Sequence, residues 1–202
     1  MDSLISQARK AYHQNLLSNG VLTIDKQGIP SNADKSSRLS VDIAQGITHI
    51  LTVETHEKAV GQTSGAKFEQ INMEFLLQTF PKLQNLRPGK WHIAKLGNRN
   101  AIKTSSFCQY EHLEYLNRLT KSDARLAASM GNDYMIAPDV VIFREPETDE
   151  NINKGIFIVD TDTGCLADIR KDFGGLPILH ASISAKWTMR SDRAQKDRKS
   201  VV

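Results

Sequence analysis

The sequence has little of what marks a secreted, a zinc-binding or a membrane protein. Among 202 residues there are two cysteines, Cys108 and Cys165, which are too few for a disulfide scaffold and too far apart for a zinc motif. There is no apolar run long enough to span a bilayer, and the first residues lack the basic and apolar stretches of a signal peptide. We therefore expect a cytoplasmic protein with reduced thiols and no membrane partner, folded as one domain over residues 1–202.

Acidic residues are missing from one long segment. Residues 82–110 carry six Lys or Arg and no acid, and residues 181–202 carry six Lys or Arg against two Asp. Between these segments, residues 133–172 hold ten acids against four basic residues. Basic surface attracts phosphate and grouped carboxylates hold divalent cations, so this layout suits a Mg²⁺-dependent nuclease. On charge alone, however, an ordinary mixed surface is the simpler interpretation.

The hydrophobic pattern predicts helices in the first part of the chain and strands later. The predicted helices cover residues 3–17, 40–51, 64–80 and 109–130, with a further helix from residue 191. The predicted strands, rich in Ile, Val and Phe, cover residues 135–143, 155–159 and 178–189. This order predicts an α/β fold, a mixed β-sheet flanked by helices.

Two of these strands carry residues suited to phosphodiester hydrolysis. Asp139 opens the first strand, and Ser184 and Lys186 are predicted to share a face inside the last one. If the strands are neighbours, Asp139 and Lys186 meet at one end of the sheet. There a carboxylate can hold a divalent ion and an ammonium group can orient the attacking water. Taken alone, the pattern is also explained by a Pro-Asp turn and an edge-strand lysine.

A second group of residues, Arg190-Ser191-Asp192-Arg193, follows at once. Ser191 is a suitable helix N-cap, which would place Arg190 and Arg193 on either side of a helix start. Arg can bond guanine O6 and N7 together, and Asp can accept from cytosine N4, so the group can read G·C pairs from the major groove. The alternative is a solvated helix start with local ion pairs.

The two groups together resemble the catalytic and recognition block of the NgoMIV-like type II restriction endonucleases, which belong to the PD-(D/E)xK nucleases. The resemblance rests on residues 184–195, with a Ser-x-Lys variant followed closely by Arg-Ser-Asp-Arg, and it extends to Pro138-Asp139, residues 65–69 and residues 86–91. It implies a restriction-endonuclease-like fold and Mg²⁺-dependent cleavage of double-stranded DNA at a palindrome with central CCGG, which we expect to be GCCGGC. It also implies a homo-oligomer, either a dimer or a tetramer.

The resemblance also implies catalytic roles. Asp139 would be the central metal ligand, helped by the backbone carbonyl of Ala185. Lys186 would position or activate the attacking water, and Ser184 stands where many relatives have an acid. Glu69 matches the accessory acid near the metal site.

Recognition roles follow in the same way. Arg190, Asp192 and Arg193 would read the central CCGG, while Asp34 and Gln62, on loops ahead of helices, match positions used for the outer base pairs. The alternatives are that Asp34 caps a helix and that Gln62 belongs to a polar turn.

One departure from the family pattern concerns the acid that the Ser-x-Lys motif lacks. In the family it comes from the helix after the recognition segment, where this chain has Ser200, with Asp197 about one helical turn early. The chain stops at Val202, where relatives continue. We therefore expect a truncated family member, and the alternative function is a catalytically defective DNA-binding relic.

A competing motif lies in residues 156–163. An apolar strand followed by Asp160-Thr161-Asp162-Thr163 resembles the nucleophile motif of haloacid-dehalogenase-like phosphatases. Too little chain follows to supply the other motifs of that fold. Gly164 favours the simpler interpretation, a strand that leaves into an acidic turn.

Overall fold

The chain divides into two units, and the described residues of the first contain three helices. The computed structural model describes residues 2–51, 61–96, 103–130 and 138–190, and the first unit comprises Met1–Phe80 with Ala185–Val202. Its helices are α1 (Leu4–Ser18), α2 (Arg38–Ile50) and α3 (Gly61–Thr79). All three confirm the sequence prediction to within three residues at each end. In the part of the chain described, no helix is long and apolar enough to cross a membrane.

Local hydrogen bonds explain where the first two helices begin. The Ser3 hydroxyl accepts from the Ser6 N–H at 3.2 Å, and the Ser37 hydroxyl accepts from the Ser40 N–H at 3.3 Å. Each serine satisfies a backbone donor that has no partner within the helix. Gly20, at φ +62°, lies just beyond the end of α1, in a conformation that suits glycine.

The core of the first unit lies between α1 and α3. Its buried residues are Leu16, Val21, Leu22 and Ile71, and the aromatic rings of Tyr12, Phe68 and Trp187 pack against them. Tyr12 also donates a hydrogen bond to Asn72 Oδ1 at 2.7 Å, so its polar end is satisfied. This core therefore includes a residue from the far end of the chain, Trp187.

A three-stranded antiparallel sheet is the centre of the second unit, Pro81–Ser184. The strands are β1 (Trp91–Lys95), β2 (Val140–Arg144) and β3 (Ile178–Ile183), in the order β1-β2-β3. The central strand is buried from Val140 to Phe143, and Phe107 packs beneath it against Phe143. The predicted combination of helices and a sheet is confirmed, although β1 was not among the predicted strands.

The helical stretch predicted over residues 109–130 is two helices. They are α4 (His112–Ser122) and α5 (Ala124–Met130), and short 3₁₀ turns precede them. Asp123 separates them with an extended backbone, φ −129° and ψ 105°. Its carboxylate accepts from the N–H groups of Arg125 and Leu126 at 2.8 and 3.1 Å, so the aspartate starts a second helix.

The strand predicted over residues 155–159 is wrong. The segment is irregular and its side chains are exposed, with Phe157 at 77%, apart from the half-buried Val159. The side-chain amide of Asn153, and not a neighbouring strand, makes the hydrogen bonds to the backbone of this segment. It accepts from the N–H groups of Ile158 and Val159 at 2.8 and 2.9 Å and donates to the Val159 carbonyl at 2.9 Å.

The Arg170 guanidinium organises the loop that follows β2, which we call the Arg170 loop (residues 145–176). Its side chain is fully buried and donates to both carboxylate oxygens of Asp149, at 2.9 and 2.5 Å. It also donates to the carbonyl groups of Asp160 and Thr163, and it lies over the Phe173 ring at 4.3 Å. The loop, which includes the short helix α6 (Asp149–Ile152), is therefore ordered around one charged group rather than around an apolar core.

Candidate functional site

Asp139 lies at the end of the sheet where β2 begins. It is half-buried, and its carbonyl accepts from the Leu96 N–H at 3.3 Å. Val140 pairs with Ile183 in the register of β2 and β3. Because the two strands are antiparallel, Asp139 just before β2 and Ser184 just after β3 lie at the same end of the sheet. The two strands are therefore neighbours, which is the condition stated from the sequence.

The motif Ser184-Ala185-Lys186 is not inside a strand, although the sequence predicted that it would be. β3 ends at Ile183, and residues 184–187 have no regular structure. The side chains of Ser184 and Lys186 are exposed, and Ala185 is half-buried. The alternation of faces expected of a strand therefore does not apply to Ser184 and Lys186.

Trp187 fixes the chain directly after Lys186. Its ring packs on Phe68 of α3, with ring centroids 4.9 Å apart, as part of the core of the first unit. The next residue of α3 is Glu69, whose side chain is half-buried. The aromatic pair thus attaches the segment that carries Lys186 to the part of α3 that carries Glu69. The sequence prediction did not assign this role to Trp187, although its position beside Lys186 was a usable signal.

Asp34 and Arg190 belong to two segments that are hydrogen-bonded to each other. The Met189 N–H donates to the Asn32 carbonyl at 3.0 Å, and the Ser40 hydroxyl donates to the Met189 carbonyl at 2.9 Å. Met189 directly precedes Arg190, whose side chain is exposed. The structure therefore joins the loop of one predicted recognition residue to the segment of another.

Asp34 does not cap a helix, which was the alternative interpretation of this residue. Its carboxylate accepts from the N–H and the hydroxyl of Ser36, at 3.1 and 2.7 Å, while Ser37 is the N-cap of α2. The Ser36 hydroxyl bond, then the Ser36 N–H bond, and further the charge of Arg190 hold the pKa of Asp34 below its usual range. The lowered pKa favours the ionised carboxylate, which can only accept hydrogen bonds.

Of the three remaining predicted recognition residues, the structure describes the backbone of one, Gln62. Gln62 lies in the first turn of α3, which begins at Gly61, and not on a loop ahead of the helix. Asp192 and Arg193, and the helix predicted from residue 191, lie outside the described residues, as do the first three residues of the strand predicted from 135.

The donor groups available for a cation are few in the residues that the structure describes. Across residues 2–51, 61–96, 103–130 and 138–190 there is no group of three or more His, Cys, Asp or Glu side chains that could hold a metal ion.

At the Asp139 end of the sheet there is also a basic residue that the sequence analysis did not single out. Lys95, the last residue of β1, pairs with Val140 in the register.

The phosphatase-like motif has its aspartate in a closed turn. Asp160 accepts from the N–H groups of Asp162 and Thr163, at 2.9 and 2.8 Å, and from the Thr163 hydroxyl at 2.7 Å. These bonds, led by the Thr163 hydroxyl, hold the pKa of Asp160 below its usual range. The apolar strand that this motif needs is absent from residues 155–159. Asp160 therefore has a structural role in the Arg170 loop.

Comparison with known proteins agrees with the resemblance seen in residues 184–195. The family model of the NgoMIV restriction enzyme matches residues 12–202. The type II restriction enzyme NgoMIV of Neisseria gonorrhoeae is 43% identical over 199 residues, which cover 98% of this chain and 70% of that enzyme. The match covers both units and every residue of the candidate site, and the chain therefore belongs to the NgoMIV family of type II restriction endonucleases.

Proposed function

We propose that this protein cleaves double-stranded DNA at a palindromic site with central CCGG, GCCGGC, and that it uses Mg²⁺. The observation that carries the proposal is the 43% identity to a type II restriction enzyme over 98% of the chain. The register that brings Asp139 and Ser184 to one end of the sheet supports it, because the first residues of the proposed catalytic motif then adjoin the proposed metal ligand.

The residues proposed for the metal have the right donor chemistry. Mg²⁺ prefers oxygen ligands, is typically bound by one or two carboxylates and keeps several waters. The half-buried Asp139 carboxylate and the Ala185 carbonyl are such ligands, with Glu69 as the accessory acid. A bound Mg²⁺ would polarise the scissile phosphate and lower the pKa of a water. The need for so few protein ligands is compatible with the small donor set of the described residues.

Lys186 and Ser184 have different proposed tasks. The exposed ammonium group of Lys186 can orient the attacking water by hydrogen bonding and offset the charge that develops on the phosphate. Ser184 is too weak a ligand to replace a carboxylate, but its hydroxyl can bond a water or a phosphate oxygen. The proton-handling and charge-stabilising roles therefore fall on Lys186, and the chain around it is fixed by Trp187.

Recognition is proposed to use five side chains. Arg190, Asp192 and Arg193 would read the central CCGG, and Asp34 and Gln62 the outer base pairs. A palindrome presents the same half-site twice, so two copies related by two-fold symmetry would read it. We therefore propose a homo-oligomer, a dimer or a tetramer.

Cleavage of a plasmid with GCCGGC sites tests the proposal, with wild type, Lys186→Ala and the matched control Lys154→Ala. Lys154 is also exposed but lies in the Arg170 loop. We expect site-specific cutting in Mg²⁺ by wild type and by Lys154→Ala, and a rate lower by roughly 10²–10³-fold for Lys186→Ala, as for the loss of one transition-state donor.

Binding of the same DNA in Ca²⁺ separates recognition from catalysis. We expect Lys186→Ala to bind like wild type. Cutting that survives the Lys186 substitution, or cutting without regard to sequence, would contradict the proposal. Specific binding by wild type without any cutting would instead support the DNA-binding relic.

A further inference from the structure

The Ser40 hydroxyl lies between the two segments that carry Asp34 and Arg190. It accepts from the Asp34 N–H at 2.9 Å and donates to the Met189 carbonyl at 2.9 Å. A hydroxyl has one proton to donate and two lone pairs, so it can make both bonds at once. Ser40 is 7% exposed, and water therefore competes little for either bond.

Ser40 is itself firmly held. It lies in the first turn of α2, and its own N–H donates to the N-cap hydroxyl of Ser37. Its side chain is on the buried face of the helix, with Ala44 and Thr48. The first turn of α2 thus fixes the position of the Ser40 hydroxyl, which bonds both neighbouring segments.

The Met189 peptide groups are bonded on both sides. The Met189 N–H donates to Asn32 and the Met189 carbonyl accepts from Ser40, so two bonds fix the backbone one residue before Arg190. In the same loop the Asp34 backbone is bonded to Ser40. The Ser40 hydroxyl therefore links the backbone of Asp34 to the backbone directly before Arg190.

We infer that Ser40 is a positioning residue for sequence discrimination. Its hydroxyl fixes Met189 and Arg190 against the loop of Asp34, so that contacts to the outer and the central base pairs form together. The inference rests on the proposed function, because it needs Asp34 and Arg190 to contact DNA. A wrong outer base pair that displaces Asp34 then also disturbs Arg190, and discrimination exceeds what either contact gives alone.

The test compares Ser40→Ala, Ser40→Thr and the control Thr48→Val. Thr48 is a second buried hydroxyl on the same face of α2, 2% exposed, but it donates within the helix to the Gln45 carbonyl. The readout is the ratio of kcat/KM for GCCGGC to kcat/KM for ACCGGT, which differs only in the outer pairs. Far-ultraviolet circular dichroism and Tm show that each variant is folded.

We expect Ser40→Ala to lower this ratio by about 3–10-fold, which is the range for the loss of one or two hydrogen bonds. Ser40→Thr keeps the hydroxyl and should keep most of the ratio, and Thr48→Val should match wild type. An unchanged ratio in folded Ser40→Ala, beside a wild type that discriminates, would overturn the inference alone. A wild type that treats both sites equally would overturn the proposed function and the inference with it.

Discussion

The two units keep their candidate residues in place by different means. In the first unit an apolar core holds the helices, and hydrogen bonds to Met189 then fix the segment before Arg190. In the second unit the buried strand β2 sets the position of Asp139, while the long Arg170 loop depends on one guanidinium. Apolar burial thus places the helices and strands in each unit, and directional polar bonds place the irregular segments that connect them.

The core of the second unit gives the largest expected effect. Phe107 is 1% exposed and packs against Phe143, whereas Phe157 in the Arg170 loop is 77% exposed. Phe107→Ala should lower the free energy of unfolding by about 3–5 kcal/mol. Phe157→Ala, the same chemical change, should stay within about 0.5 kcal/mol. Urea denaturation of both variants measures the difference, and similar losses would contradict the contrast between core and loop.

Gly89 gives an intermediate effect. It has φ +138°, and a Cβ added there would lie 2.9 Å from Nη2 of Arg144, whose guanidinium also lies 5.4 Å from the Trp91 ring centroid. Gly89→Ala should therefore cost about 1–3 kcal/mol, mainly through the strained backbone conformation, because the guanidinium is the end of a flexible side chain and can move aside.

Gly155→Ala is the control, because Gly155 also has a positive φ, +94°, but no atom of the described residues lies within 4 Å of the added Cβ. It should show the cost of the backbone conformation without the clash. Thermal unfolding of both variants makes the comparison, and a loss for Gly89→Ala far above that for Gly155→Ala would contradict the expectation that backbone strain dominates.

The smallest expected effect is a local pH dependence in the Arg170 loop. The Arg170 guanidinium beside Asp149 holds the pKa of that carboxyl below its usual range. A depressed pKa stabilises the folded form above the unfolded pKa, roughly 4, and this stabilisation is lost as the pH falls through the folded pKa. Protection of the Glu147 and Lys171 amides, which bond across the loop, should therefore decrease below about pH 4.

Asp149→Asn should have weak protection already at neutral pH and little further change in acid. Asp172→Asn is the control, since Asp172 is an exposed carboxylate of the same loop. Hydrogen-exchange protection factors measure both. If Asp149→Asn kept the acid-dependent loss of wild type, another group would be responsible.

The sequence predicted best what depends on neighbouring residues. The helical period of apolar residues is a local pattern, and α1, α2 and α3 were located from it; the caps at Ser3 and Ser37 are local as well. The break at Asp123 is local as well, but its apolar stripe continues on both sides and predicts one helix. The prediction of a strand at residues 155–159 was wrong because the composition of this segment is typical of a buried strand. In the structure the Asn153 amide bonds the backbone of the segment within an exposed loop.

The candidate site was predictable in its residues more than in its arrangement. The motifs named Asp139 and Lys186, and the register shows that the strand after Asp139 and the strand before Ser184 are neighbours. The link from Asn32 and Ser40 to Met189 joins residues about 150 positions apart, at a separation of 149 for the Ser40 bond. No local pattern in the sequence indicates such a bond, because it exists only once the core has brought Trp187 onto α3.

The Arg170 loop already exposes much of its apolar surface in the folded protein, with Phe157 at 77% and Leu166 at 99%. Heat-capacity change on unfolding comes mainly from apolar surface that becomes newly hydrated. Opening this loop would hydrate little more, so its enthalpy and entropy of opening should vary little with temperature. The sheet beside it, with β2 buried from Val140 to Phe143, follows the strongly curved stability of a true core. One chain therefore contains a part whose free energy of opening changes almost linearly with temperature and a part whose stability has a maximum.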